Sequence, residues 1–292
     1  MHAERSLLLG LLGEHIMASL TPAMHEAEGR RQELPLVYRA LDPQDMGVAN
    51  PDWPQLLVTA RRFGYDGLNI THPAKQVLME VLDGLSDDAA LLGAVNTVTF
   101  HGGRAVGENS DHIGFSGALS ALDIDASAGE VVQIGAGGAG SAVAYALLKA
   151  GTPRLTLVDL DPTHARSLVE RLSAAFDASR MRVLPPEDGP EAVRSATGLV
   201  NCTPIGMDGV SVGSPLDLSA LHRGLWVGDA VYRPLRTTLV RAAEDLGCTA
   251  FGGAHMVVGQ AVASFEMFTG RQASREAMYQ TFLDESGVLN HA

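Results

Sequence analysis

Residues 131–140, with the sequence Val-Val-Gln-Ile-Gly-Ala-Gly-Gly-Ala-Gly, decide the fold class of this chain. The first four residues form a compact and largely apolar run that is typical of a buried strand. A stretch with helical character follows from Ser141 to Ala150, and a second apolar run covers residues 155–159. A strand, a helix and a strand within about thirty residues form a βαβ unit, which implies a parallel sheet.

The glycine spacing in this stretch predicts a dinucleotide-binding turn. Gly135, Gly137 and Gly140 follow the pattern Gly-x-Gly-x-x-Gly between the predicted strand and the predicted helix. The first glycine permits a tight turn, the second lets the backbone approach a pyrophosphate, and the third lets the helix pack closely on the strand. The free N–H groups at the start of the helix then favour a phosphate. The alternative is a glycine-rich turn that binds no ligand.

Asp159 indicates which dinucleotide would bind. An acidic residue is expected about twenty positions after the glycines, where it accepts hydrogen bonds from the ribose hydroxyls of NAD. Asp159 ends the second strand, and no Arg or Lys occurs at positions 160–163 to neutralise a 2′-phosphate. This pattern favours NAD over NADP. The alternative role for Asp159 is to cap the next helix, although Asp161, directly before Pro162, is the better placed cap.

The composition excludes several classes of function. The 292 residues include 21 Lys and Arg against 34 Asp and Glu, so the net charge is −13, and aromatic residues make up 5%. Such a chain repels phosphate backbones and anionic lipids and offers few rings for stacking, so we expect neither a nucleic-acid nor a membrane partner. No apolar run approaches the roughly 18 residues of a membrane span. The two cysteines suggest free thiols in the cytoplasm, and the histidine spacing predicts no metal site.

A polar segment of small residues, 123–130, separates two halves with different patterns. In the first half, short strands alternate with helices, and Gly102-Gly103 is a typical hairpin dipeptide. Strands of this half are predicted over residues 6–13, 37–40, 67–70, 95–101 and 104–107, and helices over 22–31, 54–63 and 73–82. Beyond the βαβ unit, strands are predicted over 198–201 and 226–230, and helices over 165–175, 254–268 and 274–285.

Four polar clusters of the first half, residues 19–22, 69–75, 96–97 and 109–111, lie at predicted strand ends. Ligands bind at the carboxyl ends of sheet strands, so these are candidate substrate groups, although each alone could equally cap a helix or a turn.

Lys75 is a cation in the first turn of a predicted helix, where it opposes the helix dipole, and Asp111 could compensate its charge. Such a pair can exchange a proton with a substrate hydroxyl or carbonyl. His72 and His112 are alternative acid–base groups, and an ordinary surface lysine is the alternative for Lys75.

Seven short segments occur in order along almost the whole chain. They are Ser-Leu-Thr-Pro-Ala-Met-His (19–25), Asn-Ile-Thr-His-Pro-Ala-Lys (69–75), Gly-Ala-Val-Asn-Thr (93–97), Gly-Glu-Asn-Ser-Asp-His-Ile-Gly-Phe (107–115), Asn-Cys-Thr-Pro-Ile-Gly-Met (201–207), Asp-Ala-Val-Tyr-Arg-Pro-Leu-Arg-Thr (229–237) and Gly-Gly-Ala-His-Met-Val-Val-Gly-Gln-Ala (252–261). Together they resemble the shikimate/quinate dehydrogenase family. Thr21 and the Asp159-Leu160 pair, which depart from the pattern of its biosynthetic NADP-dependent members, look most like its NAD-dependent actinobacterial quinate/shikimate dehydrogenases.

The resemblance implies an α/β protein with a cleft between two domains. These are an N-terminal substrate domain (1–122), a Rossmann-like doubly wound parallel-sheet NAD domain (123–253), and C-terminal helices (254–292) that return to the first domain. Lys75 and Asp111 would be the catalytic pair. The implied substrate-binding residues are Ser19, Thr21, Thr71, Lys75, Asn96, Asp111, Tyr232 and Gln260. The implied cofactor-binding residues are Gly135, Gly137, Gly138, Ala139, Gly140, Asp159, Thr203, Pro204, Ile205, Gly206, Met207, Ala230, Gly253 and Met256, and no metal is implied.

Three positions depart from the usual pattern of the family. Thr21 stands where biosynthetic members usually have a second Ser, Ser110 replaces a usual Thr, and Asp159-Leu160 replace the Asn-Arg pair of NADP-dependent members. We therefore expect an enzyme, monomeric or homodimeric, that oxidises quinate and shikimate at the C3 ring hydroxyl by hydride transfer to NAD. The products would be 3-dehydroquinate and 3-dehydroshikimate. The alternatives are a biosynthetic shikimate dehydrogenase that reduces 3-dehydroshikimate, a catalytically silent dinucleotide sensor, and a tetrahydrofolate-type dehydrogenase.

Overall fold

The computed structural model describes residues 5–287, which divide into two compact units. The first unit runs up to Ser110 and resumes at Gln260, and the second unit comprises Asp111–Gly259. These borders lie at 110/111 and 259/260, whereas the predicted ones lie at 122/123 and 253/254. The first border lies earlier because the helix Asp111–Ala121 packs on the helix Gly138–Lys149 of the second unit.

The first unit is built on a mixed sheet. In chain order it contains β1 (Leu7–Leu12), α1 (Thr21–Arg31), β2 (Leu36–Leu41), α2 (Trp53–Arg62), β3 (Gly67–Ile70), α3 (Ala74–Val77), β4 (Gly84–Leu85), α4 (Asp87–Leu92), β5 (Thr97–His101) and β6 (Arg104–Glu108). The strand order is β2-β1-β3-β5-β6-β4. β1 is parallel to β2 and β3, whereas β5 is antiparallel to β3 and β6. The carboxyl ends of β1 and β3 therefore lie at the same edge as the start of β5.

The second unit is built on a parallel sheet. It contains α5 (Asp111–Ala121), β7 (Glu130–Ile134), α6 (Gly138–Lys149), β8 (Arg154–Val158), α7 (Pro162–Leu172), β9 (Met181–Leu184), α8 (Gly189–Ser195), β10 (Gly198–Asn201), β11 (Trp226–Asp229), α9 (Thr238–Asp245) and β12 (Thr249–Phe251). The strand order is β12-β11-β10-β7-β8-β9, and every pairing is parallel. Counted from β7, this is the strand order of a doubly wound dinucleotide-binding fold, so the predicted fold class is confirmed. The helices α10 (Ala254–Thr269) and α11 (Arg275–Glu285) follow.

Most predicted elements begin and end within three residues of the observed ones. The Gly102-Gly103 hairpin is confirmed, because both glycines have positive φ and join β5 to β6. The helix predicted over 73–82 is wrong in its length, since α3 ends at Val77 and a 3-10 helix covers Leu78–Val81. The helix dipole at Lys75 is correspondingly smaller than a full helix would create.

Seven elements have no predicted range, namely β4, α4, α5, β9, α8, α9 and β12. The three strands among them are short, and each lies at an edge of its sheet. These strands have only two to four residues each, which is too short to produce a recognisable alternation of apolar and polar residues in the sequence.

Two structural absences apply to residues 5–287. Within that range, no helix has both the length and the apolar character required to cross a lipid bilayer. The same residues include no cluster of three or more His, Cys, Asp or Glu side chains that could hold a metal ion.

The core of the first unit encloses the imidazole of His25, which is completely buried on α1. Its ring centroid lies 4.7 Å from that of Tyr38 on β2 and 6.0 Å from that of Phe265 on α10. Its Nδ1 is 3.0 Å from the carbonyl oxygen of Thr21, and its Nε2 is 3.3 Å from Oγ of Ser264. Burial lowers the pKa of His25 to about 4, so the ring is neutral at neutral pH.

We predict that His25 makes the first unit sensitive to acid. An unfolded histidine takes up a proton near pH 6.5, whereas folded His25 does so only at about pH 4. The contribution of His25 to the free energy of unfolding therefore falls as the pH drops through this window, by about 3 kcal/mol in total. In urea titrations, the free energy of unfolding of wild type should decrease by this amount relative to that of His25→Gln over the same window. An equal dependence on pH in both proteins would contradict the prediction.

Candidate functional site

The glycine turn of the second unit has the properties that its spacing predicts. Gly135 has a φ of +98°, which other residues rarely adopt. A Cβ on Gly140 would lie 2.2 Å from the carbonyl oxygen of Gly135, so α6 can approach β7 this closely only with glycine there. Among residues 5–287, no atom lies within 4 Å of a Cβ on Gly137 or Gly138. The turn is therefore closed toward the sheet and open on its other side, where the first N–H groups of α6 can receive an anion.

Asp159 follows β8 directly and lies beside this turn. Its Oδ2 accepts a hydrogen bond of 2.7 Å from the N–H of Ala136, and its Oδ1 accepts one of 2.9 Å from the N–H of Asp161. Asp161 accepts a hydrogen bond from the N–H of Thr163 and caps α7, as predicted. Asp159 is thus held against the glycine turn and does not serve as the helix cap.

A cavity of about 500 Å³ opens beside the turn and Asp159. The predicted residues that line it are Gly135, Gly137, Asp159, Thr203, Pro204 and Ile205. Much of the remaining wall is apolar and includes Val158, Leu160, Pro186, Pro190 and Leu216. A concave, mostly apolar cavity with a carboxylate at a fixed position is suited to a small organic ligand that offers hydroxyl donors.

The predicted cofactor residues 203–207 form a loop that Asn201 holds from inside the unit. Asn201 is completely buried at the end of β10. Its Oδ1 accepts hydrogen bonds from the N–H and the hydroxyl of Thr203 at 3.0 and 2.7 Å, and its Nδ2 donates to the carbonyl oxygen of Ile205 at 3.1 Å. Gly206 completes the loop with a φ of +99°, and its N–H donates to the carbonyl oxygen of Ser211.

Two further predicted cofactor residues meet at the same edge of the sheet. Ala230 follows β11 and Gly253 follows β12. A Cβ on Gly253 would lie 2.2 Å from the carbonyl oxygen of Ala230, so only glycine permits this approach. Gly138 and Ala139 lie in the first turn of α6, and Met256 is buried near the start of α10.

In the first unit, the predicted polar clusters lie at one edge of the sheet. The N–H of Glu14, after β1, donates to the carbonyl oxygen of His72, after β3. The N–H of Ile70 donates to the carbonyl oxygen of Asn96, before β5, and the N–H of Val95 donates to that of Lys75. The hydroxyl of Ser19 donates to that of Thr21 at 3.1 Å, where α1 begins after β1. The topology thus puts five predicted substrate residues at this edge of the sheet, namely Ser19, Thr21, Thr71, Lys75 and Asn96.

A buried hydrogen-bond network fixes Asn96 at this edge. Its Oδ1 accepts hydrogen bonds from the N–H of Ser110 at 2.7 Å and from the hydroxyl of Thr97 at 3.0 Å. Its carbonyl oxygen accepts from Nδ2 of Asn69 at 3.3 Å, and Oδ1 of Asn69 accepts from the hydroxyl of Tyr38 at 2.7 Å. All five residues are buried, so the network holds Asn96 in one orientation.

The other predicted site residues are distributed between the two units. Lys75 is half-buried on α3, and Gln260 begins the part of α10 that belongs to the first unit. Asp111 is the first residue of α5, and Tyr232 lies in the loop after β11; both are half-buried and belong to the second unit. The pairing of Lys75 with Asp111 therefore stays a prediction.

Three residues at these sites were not predicted. Gln133 on β7 donates from Nε2 to the carbonyl oxygens of Gly135 and Gly140, both at 2.8 Å, and a polar residue in an apolar strand was the available signal. His164 lines the cavity with Nδ1 3.9 Å from Oδ1 of Asp159, and it directly follows positions 160–163, which contain no Arg or Lys. Asp229 ends β11 and bonds to Asn201, a contact that no local pattern indicates.

The chain is similar to known proteins along nearly its whole length. The family description "Shikimate dehydrogenase substrate binding domain" matches residues 11–98, and "Shikimate 5'-dehydrogenase C-terminal domain" matches residues 253–281. A shikimate dehydrogenase (NADP(+)) of Pseudarthrobacter chlorophenolicus is 47% identical over 279 residues, which cover 96% of this chain and 95% of that protein. A quinate/shikimate dehydrogenase (NAD(+)) of Corynebacterium efficiens is 44% identical over 279 residues, covering 95% and 98%.

A solved structure shows the same architecture. The quinate dehydrogenase from Corynebacterium glutamicum in complex with NAD is 41% identical, has a TM-score of 0.92, and is matched over 96% of this chain and 99% of that chain. The matched stretch therefore includes both units. The chain therefore belongs to the shikimate/quinate dehydrogenase family.

Proposed function

We propose that this protein is an NAD-dependent dehydrogenase that oxidises quinate to 3-dehydroquinate and shikimate to 3-dehydroshikimate. The observation that carries the proposal is the open glycine turn with Asp159 fixed beside it, in a chain of this family. The corynebacterial relatives named quinate/shikimate dehydrogenase (NAD(+)) support it. The free thiols of Cys202 and Cys248 fit a reducing compartment, and we place the enzyme in the cytoplasm.

The second unit offers groups that fit a dinucleotide. Gly137 and Gly138 leave open space where a Cβ would stand, so the backbone there can meet a pyrophosphate. Each oxygen of Asp159 accepts one backbone hydrogen bond and keeps a lone pair for a ribose hydroxyl. Leu160 and Pro186 line the same cavity and would pack on the adenine. Loop 203–207, Ala230, Gly253 and Met256 would line the nicotinamide side.

The first unit offers groups that fit a hydroxylated ring acid. Ser19 and Thr21 would bind the ring carboxylate through their hydroxyls, which already lie within 3.1 Å of each other. Thr71, Lys75 and Asn96 would bind the ring hydroxyls from the same edge. We extend this set to Asp111, Tyr232 and Gln260 on the strength of the family resemblance.

Oxidation of a ring alcohol to a ketone removes a hydride from carbon and a proton from oxygen. A bound nicotinamide would supply the acceptor for the hydride. The amine of Lys75 would accept the proton, and Asp111 would hold that amine and the hydroxyl in line. In the direction of reduction, the ammonium form of Lys75 returns the proton to the oxygen.

A biosynthetic shikimate dehydrogenase is the second candidate. The relative from Pseudarthrobacter chlorophenolicus is named as an NADP(+) enzyme. In this chain His164 lines the cavity beside Asp159, and an imidazole can carry a positive charge toward a phosphate.

Initial rates with quinate and shikimate, each with NAD and with NADP, distinguish these functions. We expect turnover of both acids with NAD. Turnover of shikimate with NADP alone would favour the biosynthetic enzyme. Binding of a dinucleotide without turnover of either acid would indicate a sensor.

Two glycine substitutions should separate binding from folding. Gly137→Ala places a methyl group in open space, so we expect unchanged thermal stability but an affinity for NAD at least about tenfold weaker, because the backbone can no longer meet the pyrophosphate. Gly140→Ala creates a clash with the carbonyl oxygen of Gly135 and should lower stability by about 1–3 kcal/mol. Thermal unfolding and calorimetric titration with NAD measure both effects. Wild-type affinity in Gly137→Ala would contradict the proposed binding mode.

Asp159 should set the choice of cofactor. A 2′-phosphate about 4 Å from this carboxylate would be repelled by roughly 4 kcal/mol at an effective dielectric constant near 20. We predict a kcat/KM for NAD at least about 100-fold above that for NADP, which corresponds to about 2.7 kcal/mol. Asp159→Asn combined with Leu160→Arg should raise kcat/KM for NADP, whereas Asp161→Asn, which keeps a capping residue, should change neither value. Equal efficiency of the two cofactors in the wild type would disprove this prediction.

Lys75 should be the group that accepts the proton in oxidation and donates it in reduction. We predict that Lys75→Ala lowers kcat by about 10²–10⁴-fold with a smaller change in KM, which is typical of a lost general acid–base group. Lys75→Arg should not restore the rate, because a guanidinium keeps its proton in this range. Gln76→Ala, at the exposed neighbouring position, is the matched control and should retain activity. If Lys75→Ala keeps most of its kcat in alkaline solution, the proton takes another route, with His72 and Asp111 as the next candidates.

A further inference from the structure

One buried carboxylate joins the loops that follow β10 and β11. Asp229 ends β11 and is 2% exposed. Its Oδ1 accepts hydrogen bonds from Nδ2 of Asn201 at 2.9 Å and from the N–H of Val231 at 3.0 Å, and its Oδ2 accepts one from the hydroxyl of Thr237 at 2.7 Å. Asn201 shapes loop 203–207, while Val231 and Thr237 stand at the two ends of loop 231–237. Both loops therefore depend on the same side chain.

The charge of Asp229 has a cost for the fold. Burial raises the pKa of Asp229 to about 6, although the hydrogen bonds from Thr237, Val231 and Asn201 act in the opposite direction. Because the folded pKa lies above the unfolded one, the contribution of Asp229 to the free energy of unfolding falls as the pH rises from about 4 to about 6. At neutral pH the carboxylate is mostly ionised, and a neutral residue of the same shape would avoid this cost. A costly buried charge near a cavity is typical of a functional role.

The negative charge of Asp229 acts on a residue that lines the cavity. Cys202 lines the cavity, and the pKa of its thiol is raised first by burial and further by the charge of Asp229. In a doubly wound fold each half of the sheet binds one mononucleotide. Asp159 marks the half at β7 to β9 as the adenosine side, which leaves the carboxyl ends of β10 to β12, where Asp229 lies, for the nicotinamide. The nicotinamide ring is positively charged in NAD⁺ and neutral in NADH, so a nearby fixed charge interacts with the two forms differently.

We propose that Asp229 is a positioning residue that braces loops 203–207 and 231–237 and whose fixed negative charge favours binding of NAD⁺ relative to NADH. The inference rests on the proposed function, because it takes the second unit to be the NAD-binding unit. In an enzyme that oxidises alcohols, this preference retains the oxidised cofactor that the reaction needs and promotes release of the reduced one.

The dissociation constants of NAD⁺ and NADH, measured without quinate or shikimate, test this inference. Calorimetry follows NAD⁺, and the fluorescence of the reduced nicotinamide follows NADH. In Asp229→Asn the affinity for NAD⁺ should fall about fivefold more than the affinity for NADH, because only NAD⁺ loses a charge partner. Thr237→Val removes a hydrogen bond that lowers the pKa of Asp229, so this variant is titrated in alkaline buffer, where the carboxylate stays ionised. Both affinities should then fall by the same factor. Asp177→Asn changes an exposed carboxylate that caps the 3-10 helix Ala178–Arg180, and should change neither.

Each outcome either supports or overturns the inference. An unchanged ratio of the two affinities in folded Asp229→Asn overturns it, because bracing alone acts on both forms of the cofactor alike. If Asp229→Asn does not fold, Asp229→Ser replaces it, and failure of both neutral variants to fold would show that the carboxylate serves the fold alone. A wild-type protein that binds neither NAD⁺ nor NADH would overturn the proposed function as well. An unchanged ratio beside normal quinate oxidation would overturn this inference only.

Discussion

The close approach of Gly140 to the carbonyl oxygen of Gly135 is the contact on which the second unit depends. It seats α6 directly on β7, and the side-chain amide of Gln133 holds the two glycine carbonyls from within the sheet. Because β8 and β10 pair with β7 on either side, their carboxyl ends bring Asp159 and Asn201 to the same turn. Any side chain at Gly140 would lift the helix and separate the first N–H groups of α6 from these partners.

The first unit also has its candidate site residues at one edge of a sheet, although the arrangement of its strands differs. Its sheet is mixed, so the edge that carries the polar clusters consists of the carboxyl ends of β1 and β3 and the amino end of β5. Buried polar groups at such an edge are costly unless they are hydrogen-bonded, and Tyr38, Asn69, Thr97 and Ser110 satisfy one another and Asn96. The hydroxyl of Ser110 donates to Oδ1 of Asn96 at 3.2 Å and accepts a hydrogen bond from the hydroxyl of Thr97 at 3.3 Å. The packing that stabilises this unit therefore also orients its candidate site.

Local patterns in the sequence predicted most of the fold. Val131 to Ile134, the glycines and Asp159 lie within one βαβ unit, where spacing along the chain nearly equals spacing in the structure, and their arrangement was predicted. The helix expected over 73–82 was too long, because residues 78–81 wind into a 3-10 helix that periodicity alone does not distinguish from an α-helix. The edge strands β4, β9 and β12 were too short for their pattern to be recognised.

The sequence by itself determined the doubly wound class, the glycine turn, the position of the acidic residue after β8, and which polar segments stand at strand ends. All of these follow from dihedral freedom, apolar periodicity and short-range spacing. Only the tertiary structure decided that Asn201 and Asp229 share a hydrogen bond, that His164 faces Asp159, and that Asn69 and Ser110 both reach Asn96. These partners are 28, 5, 27 and 14 residues apart along the chain. Their contacts arise from strand pairing and from the need of buried polar atoms to find partners, which no local pattern encodes.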